Sequence, residues 1–420
     1  MKTSISRRDF IKKSAIAATG MAVLPNSTTI LNAGNVIGAN DRIRIGIIGC
    51  GTRGNQVYMD GIYKHAKAMN AEVVAVCDPW RISREKTNER VKKYYGREAK
   101  QFVSYRDLLE MKDLDAVMIA SPDHLHTKHL EAAAKAGKHI YVEKPLAMEM
   151  NKLVSSVDAV KESGVVVQVG TQLRSLPGIV GARDAFMSGA IGKLSRIEEC
   201  RNSAKPYWYE YIRDVKEEDV DWQEFLDDRP YRPFDPKVYS AWYGYYEFSH
   251  GPIPNLGAHF IDLVHFITGV GFPESCVSLG GTYTWKDEHN FTAPDCIQAT
   301  WTYPEGFIVS SSNNLGNGRG NVRNFYGDKG MIGLTNWNQP FINSEGSPRG
   351  DSTIKGDRLI EHVDTQDHYY NWLHCIRNNE ETVAPIDAGY QHAVAVLMAM
   401  KSYETGKKVT YDPIKRELLV

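Results

Sequence analysis

Residues 44–54 read Arg-Ile-Gly-Ile-Ile-Gly-Cys-Gly-Thr-Arg-Gly. A short apolar run of β character ends in Gly49-x-Gly51-x-x-Gly54, and sequence of helical character follows. That arrangement is what a chain needs to hold a dinucleotide. The first glycine makes the tight turn, and the second lets a pyrophosphate approach bare backbone. The third packs the helix on the strand, while the helix N-terminus faces the phosphate charge. The next predicted strand, 72–77, ends at Asp78, 24 residues after Gly54, where an acid takes the ribose hydroxyls. A carboxylate there repels a 2′-phosphate and favours NAD, although Arg81 and Arg84 keep NADP as the alternative. The residues expected against the cofactor in this segment are Gly49, Gly51, Thr52, Arg53, Gly54 and Asp78.

A chain of 420 residues has room for two domains with their own cores. A net charge of −1 points to neither nucleic acid nor an anionic membrane. The N-terminus carries a targeting pattern, Ser6-Arg7-Arg8-Asp9-Phe10-Ile11-Lys12, followed by a weakly apolar stretch over 14–24. This is a twin-arginine signal, which implies export to the periplasm, with cleavage near Ala33 or Ala39. The stretch is too short to span a bilayer. The six cysteines show no paired or metal-like spacing and read as free thiols.

From residue 42 to 169, short β-branched runs alternate with amphipathic or alanine-rich helices. Strands are expected at 43–48, 72–77, 101–103, 115–120, 139–142 and 165–169, with a helix at 127–136. Runs such as Ala116-Val-Met-Ile-Ala120, apolar on both faces, belong in a parallel sheet covered on both sides. Strands at 194–200, 277–285, 297–303 and 307–312 alternate instead, and Tyr303-Pro-Glu-Gly306 is a hairpin turn. Helices follow at 368–377 and 388–403. The fold class is therefore α/β: an N-terminal doubly wound Rossmann sheet, then an α+β domain on an antiparallel sheet. The expected division is 1–39 signal and linker, 40–168 dinucleotide-binding domain, and 169–420 substrate-binding and oligomerisation domain, with the C-terminal helices packing back on the first domain.

Between Tyr207 and Phe248 aromatics are dense and mixed with prolines and acids. A long irregular insertion of this kind is functional more often than not. Its aromatic faces suit sugar rings, and Tyr245 is taken as substrate-facing; equally, the segment packs on itself or on a partner subunit.

Three further motifs carry chemistry. Ser121-Pro-Asp-His-Leu-His126 follows the fourth strand, where Ser121 and His126 can meet the cofactor. His124, His126 and His129 lack the acid or cysteine needed to complete a metal site, so no metal is expected. Glu143-Lys144-Pro145 follows the fifth strand. Pro145 keeps Lys144 out of helical geometry at the carboxyl edge of the sheet, where burial and a nearby positive ring would lower its pKa. Asn255-Leu-Gly-Ala-His259-Phe-Ile-Asp262 opens an apolar helix and places Asn255 and His259 one turn apart. Asp262 is positioned to orient His259, whose imidazole suits a general acid or base.

These motifs, in this order, resemble the Gfo/Idh/MocA family of sugar and polyol oxidoreductases over nearly the whole mature chain. The resemblance implies a large open antiparallel sheet that mediates homodimers or homotetramers. It implies Lys144 as the catalytic lysine and His259 as the acid/base histidine. It also places Gln172 and Glu143 by the cofactor and Arg174, Asn255, Asp262 and Lys144 by the substrate. Many members have an aspartate where this chain has Asn255, so a hydroxyl-binding role is expected of that side chain. The function expected is NAD-dependent hydride removal from a secondary hydroxyl of a sugar, glycoside or polyol, with retained cofactor. The alternatives are a redox-neutral NAD-dependent glycosidase of the α-N-acetylgalactosaminidase type, and a non-catalytic sugar-binding protein.

Overall fold

The computed structural model describes residues 41–344, 346–348 and 354–420. The twin-arginine pattern lies outside the described residues. Strands β1 (Ile43–Ile48), β2 (Ala71–Cys77), β3 (Lys100–Phe102), β4 (Ala116–Ile119), β5 (His139–Val142) and β6 (Val167–Val169) form one sheet. Its order is β3-β2-β1-β4-β5-β6, and every pair is parallel. The order reverses between β1 and β4, which opens a crevice at their carboxyl ends. All of β4 is buried, as expected of a strand covered on both faces. The helices of ten residues or more are α1 (Met59–Met69), α2 (Arg81–Tyr95), α3 (His126–Lys135), α4 (Met150–Ser163), α5 (Pro177–Met187), α6 (Ala258–Thr268), α7 (His368–Asn378) and α8 (Ile386–Thr405).

The second sheet holds β7 (Leu194–Asn202), β8 (Ser275–Gly281), β9 (Cys296–Tyr303), β10 (Phe307–Asn314), β11 (Val322–Gly327), β12 (Met331–Gly333), β13 (Phe341–Asn343), β14 (Arg358–Leu359), β15 (Val409–Asp412) and β16 (Glu417–Leu419). The order is β14-β13-β12-β11-β7-β10-β9-β8-β15-β16. It is open and antiparallel except for the β7–β10 pair, which is parallel. The β9–β10 hairpin closes as expected, with Phe307 opposite Tyr303 and Gly306 at φ 91°. The strand expected over 277–285 stops at Gly281. There the Asp295 carboxylate accepts the backbone N–H groups of Tyr283, Thr284 and Trp285 at 2.8–2.9 Å, which turns the chain out of the ladder.

Helix α8 lies between the sheets. The Trp301 indole donates to the Ala395 carbonyl at 2.8 Å, and Ser402 Oγ accepts the Ser278 N–H at 2.9 Å. On its other flank a Cβ at Gly389 would meet Val169 and Leu146 side chains at 2.8 and 2.9 Å. One buried apolar cluster consequently runs from Ile48 and Val142 through Val394 and Met398 to Trp301 and Phe325. Helix α7 returns to the first sheet, where Gln168 donates to the His368 carbonyl at 2.8 Å. All six cysteines are free thiols.

The insertion after β7 contains no helix longer than five residues. It builds its own small core from Trp208, Trp222, Phe225, Val238, Tyr245 and Phe248. Its acids pair with bases of the first sheet's helices: Asp219 with Arg81 at 2.6 Å, Glu224 with Arg106 at 3.1 Å, and Asp227 with Lys128 at 2.6 Å. A β-bridge joins Val220 to Trp80, and the Asp221 N–H donates to the Pro79 carbonyl. The insertion is thus a strap fastened across the carboxyl edge of the Rossmann sheet.

Candidate active site

Under the strap runs a cleft of about 630 Å³, within the usual size of a cofactor site. Gly49, Gly51, Thr52, Arg53, Asp78 and Ser121 line one wall; Tyr211, Phe225, Tyr239, Trp242 and Tyr243 of the strap line the other. The glycines do what their spacing demands. Gly49 has φ 96°, and a Cβ there would strike the Ala120 carbonyl. A Cβ on Gly54 would fall on the Gly49 carbonyl oxygen, whereas the corresponding position on Gly51 has no atom within 4 Å. The open side of the turn is therefore beside Gly51, where a pyrophosphate needs bare backbone.

Asp78 Oδ2 accepts the Cys50 N–H at 2.7 Å, and Oδ1 accepts the Trp80 N–H at 2.8 Å and the Tyr239 hydroxyl at 3.4 Å. Burial raises its pKa, and these donors oppose the rise. Arg84 donates to the Asp78 carbonyl, while Arg81 pairs with Glu85 and Asp219. Both guanidiniums are engaged by protein groups, and the cleft, with the Asp78 carboxylate at the strand end and Lys86 also along its wall, fits NAD.

Lys144 follows β5 and precedes Pro145 through a cis peptide, and its Nζ donates to the Asn255 carbonyl at 2.6 Å. Burial lowers its pKa to about 8, against the opposing attraction of Glu143 and Asp123 and with help from Arg53 and Arg201. An amine with that pKa can give up and take back a proton in mildly alkaline solution. His259 sits in the first turn of α6, and its Nδ1 is buried without a partner. Burial, then the Lys144 and Arg53 charges, push its pKa well below the usual imidazole value. It is a neutral hydrogen-bonding group, while Lys144 is the group that titrates.

Among the other expected residues, Glu143 and Gln172 support rather than line the cleft. Glu143 lies 3.3 Å from Arg53 Nε and accepts from Gln172 at 3.2 Å, and Gln172 also donates to the Tyr141 hydroxyl at 2.8 Å. This network braces the glycine turn from beneath. The Ser121 Oγ is 3.0 Å from His129 Nδ1. His126 differs from expectation. Its ring nitrogens lie 2.7 Å from the Pro145 carbonyl and 2.8 Å from the Ser121 carbonyl, so it ties the two loops together and has no nitrogen left for the cofactor. Arg174 and Asp262 also differ: they form a buried ion pair, Nε to Oδ2 2.9 Å. Asp262 further faces His392 at 3.6 Å, so it neither orients His259 nor leaves Arg174 free for substrate. Tyr245 is buried in the strap core, donating to the His289 carbonyl at 3.1 Å, away from the pocket. The Asn255 amide donates to Asp123 Oδ2 at 2.8 Å and Ser249 Oγ at 2.7 Å, so its N–H group serves the fold.

Sequence reasoning missed Asp123, which stands inside the Ser121–His126 motif and brings a buried carboxylate to Lys144 and Asn255. It supplies from another loop the charge that Asn255 lacks. Arg201, Asn313 and Tyr207 were missed as well; a polar residue at an inward position of an alternating strand is the signal that points to the first two. Among the described residues no group of three or more His, Cys, Asp or Glu is arranged to hold a metal ion. No helix among them is long and apolar enough to cross a membrane.

Residues 43–171 match the model of an oxidoreductase family with an NAD-binding Rossmann fold, and residues 228–411 match its C-terminal alpha/beta domain. The chain belongs to the Gfo/Idh/MocA family. Its Rossmann lobe is the family's NAD-binding domain. The first curated relatives are spanned over only 32, 58 and 37% of their own length. Glycosyl hydrolase family 109 protein 2 of Shewanella sp. strain ANA-3 is 32% identical over 173 residues, 37% of each chain. The scyllo-inositol 2-dehydrogenase (NAD(+)) of Bacillus subtilis is 32% identical over 157 residues, 36% of this chain and 42% of its own. Among solved structures, the WlbA dehydrogenase of Bordetella pertussis, in complex with NADH and UDP-GlcNAcA, superposes with a TM-score of 0.64. It is 21% identical, over 88% of this chain and 99% of that one, so it shares this Gfo/Idh/MocA fold.

Proposed function

We propose that this chain is an NAD-dependent oxidoreductase acting on a secondary hydroxyl of a sugar, glycoside or polyol, with its dinucleotide retained through many turnovers. The observation that carries the reading is the approach of Lys144, from the end of β5, to the entrance of the His259 helix, fixed by the 2.6 Å bond to Asn255. When bound, NAD accepts the hydride. Lys144 takes the hydroxyl proton, and His259 offers its unpartnered Nδ1 to the same hydroxyl. Support for retention comes from the strap, whose aromatics cover the cleft.

The twin-arginine pattern adds a reason for retention: that route carries folded proteins, and a periplasm offers no soluble nicotinamide pool to exchange with. The hydride then goes to a second substrate or returns to the first. Ping-pong kinetics between two sugars, an epimerisation, or a 3-keto intermediate that permits glycosidic cleavage all satisfy this balance. Self-assembly into dimers or tetramers is supported by Val277, Leu279 and Ile308, which are exposed on strands of the open sheet. Mass spectrometry of dialysed, untreated protein, with absorbance at the NADH band on a sugar panel, tests the reading. Ready loss of cofactor, with activity requiring added NAD at each turnover, would overturn retention.

The Shewanella relative gives the glycosidase reading its support. Intact Lys144 favours the dehydrogenase, because relatives of the glycosidase type often lack that lysine. Release of p-nitrophenol from aryl glycosides without net NADH would reverse the choice. Intact Lys144 and His259 also stand against a sugar-binding protein without catalysis.

A further inference from the structure

The inner face of the second sheet changes character along β7. Ile197, Glu199 and Arg201 alternate onto one face. Their neighbours are Val309, Ser311 and Asn313 of β10 and, for the first two, Phe325 and Arg323 of β11. The first row, Ile197–Val309–Phe325, is core. The second row is satisfied internally: Glu199 pairs with Arg323 at 2.9 Å and accepts from Ser311 at 3.2 Å. The third row is not. Among the described residues the Arg201 side chain makes no hydrogen bond or close ion pair, and Glu199 acts on it only at longer range. Beside it, Asn313 donates to Ser311 at 3.2 Å while its Oδ1 is buried without a partner. The Tyr207 hydroxyl, just beyond the strand, is likewise buried and unpartnered.

This face of the sheet meets the entrance of the His259 helix, where a Cβ on Gly257 would stand 3.7 Å from Ser311 Oγ, and the Arg201 charge acts on both Lys144 and His259. Arg201 is half-buried, and partial desolvation of a guanidinium favours a directly bound anion. The carboxylates nearby are engaged: Glu199 with Arg323, Glu143 with Arg53, Asp262 with Arg174. Asp123 accepts from Ser249 and Asn255 and balances Lys144. Arg201 shares the Glu199 charge at longer range but holds no carboxylate directly. Its planar fork matches a carboxylate, and Asn313 and Tyr207 offer hydroxyl partners beside it.

We infer that Arg201 is a specificity-determining residue that pairs with a carboxylate on the substrate, so that the sugar oxidised here is a uronate or a uronic-acid glycoside. The inference rests on the hydride-transfer reading above. Turnover of matched pairs tests it: methyl glucuronoside against methyl glucoside, and methyl galacturonoside against methyl galactoside, on the protein with its cofactor. The uronate is expected to win in kcat/KM by about 10-fold or more. Arg201→Met should bring that ratio close to one, mainly through KM, and Arg201→Lys should restore part of it. A neutral sugar used as well as its uronate, or a ratio unchanged in Arg201→Met, overturns the inference and leaves the hydride reading standing. If none of the four sugars is oxidised, their effect on melting temperature decides. Stabilisation by uronates in wild type alone upholds the Arg201 site while the hydride reading fails; no stabilisation overturns both.

Discussion

The Lys144 ammonium and the Asn255 carbonyl oxygen, 111 positions apart, are joined by a 2.6 Å hydrogen bond. One belongs to the carboxyl edge of the Rossmann sheet, the other to the entrance of α6. This bond fixes the position of the ammonium, and Asp123 binds both ends, by charge to Lys144 and by hydrogen bond to Asn255.

Lys144→Ala should lower kcat by about 10²–10⁴-fold while leaving dinucleotide affinity within a few fold, as measured by NADH fluorescence. In wild type the base must be neutral. With its pKa near 8, kcat should therefore rise with pH, at about tenfold per unit below that value, and level off above it. A flat profile between pH 6 and 9, or full activity in the variant, would remove Lys144 from the chemistry.

Asp123→Asn should move the acid limb of that profile to lower pH. The Asp123 carboxylate favours the ammonium form, so removing its charge lowers the lysine's pKa, by about one unit. A limb that stays put while kcat falls would mean that Asp123 acts only on loop structure.

Tyr239→Ala should speed dinucleotide release about 10-fold or more, since this ring packs on Phe225 over the cleft and a buried aromatic contributes about 1.5–3 kcal/mol. Asp219→Ala breaks only the strap's partly exposed pair with Arg81, worth about 0–1 kcal/mol, and should change release less than fivefold. Stopped-flow displacement of NADH gives both rates; equal effects would show that the strap's charges, not its rings, hold the cofactor.

Asp262→Asn should destabilise the fold by about 3–5 kcal/mol, because it leaves Arg174 buried and unpaired, and the urea midpoint reads this directly. Burial pushes the Asp262 pKa up, but Arg174 and His392 overcome it and hold the carboxyl below its usual 3.8. A lowered folded pKa means that the stabilisation is complete above the unfolded value and is lost as pH falls through the folded one. The stability gap between wild type and variant should accordingly be constant from about pH 5 upward and close in strong acid. An unchanged midpoint at neutral pH would show that Arg174 finds another partner.

Much of this molecule was legible in order of residues alone. The Gly49, Gly51 and Gly54 spacing, Asp78 at a strand end, and the doubly apolar runs of β1 and β4 determine the Rossmann sheet, because backbone approach and burial on two faces are local demands. The hairpin at Gly306 and the glycine-rich turn were legible for the same reason. Lys144 and His259 were found as residue types in suitable motifs. Tertiary structure alone decided how charges were shared. Arg174, Asp262 and His126 have the composition of site residues, yet each finds a partner from a distant segment, and the strap's acids turned out to face Rossmann-lobe bases. Asp123 and Arg201 became prominent for the converse reason. Whether a buried charge is neutralised depends on which strands and loops fold against it, and no spacing along the chain records that.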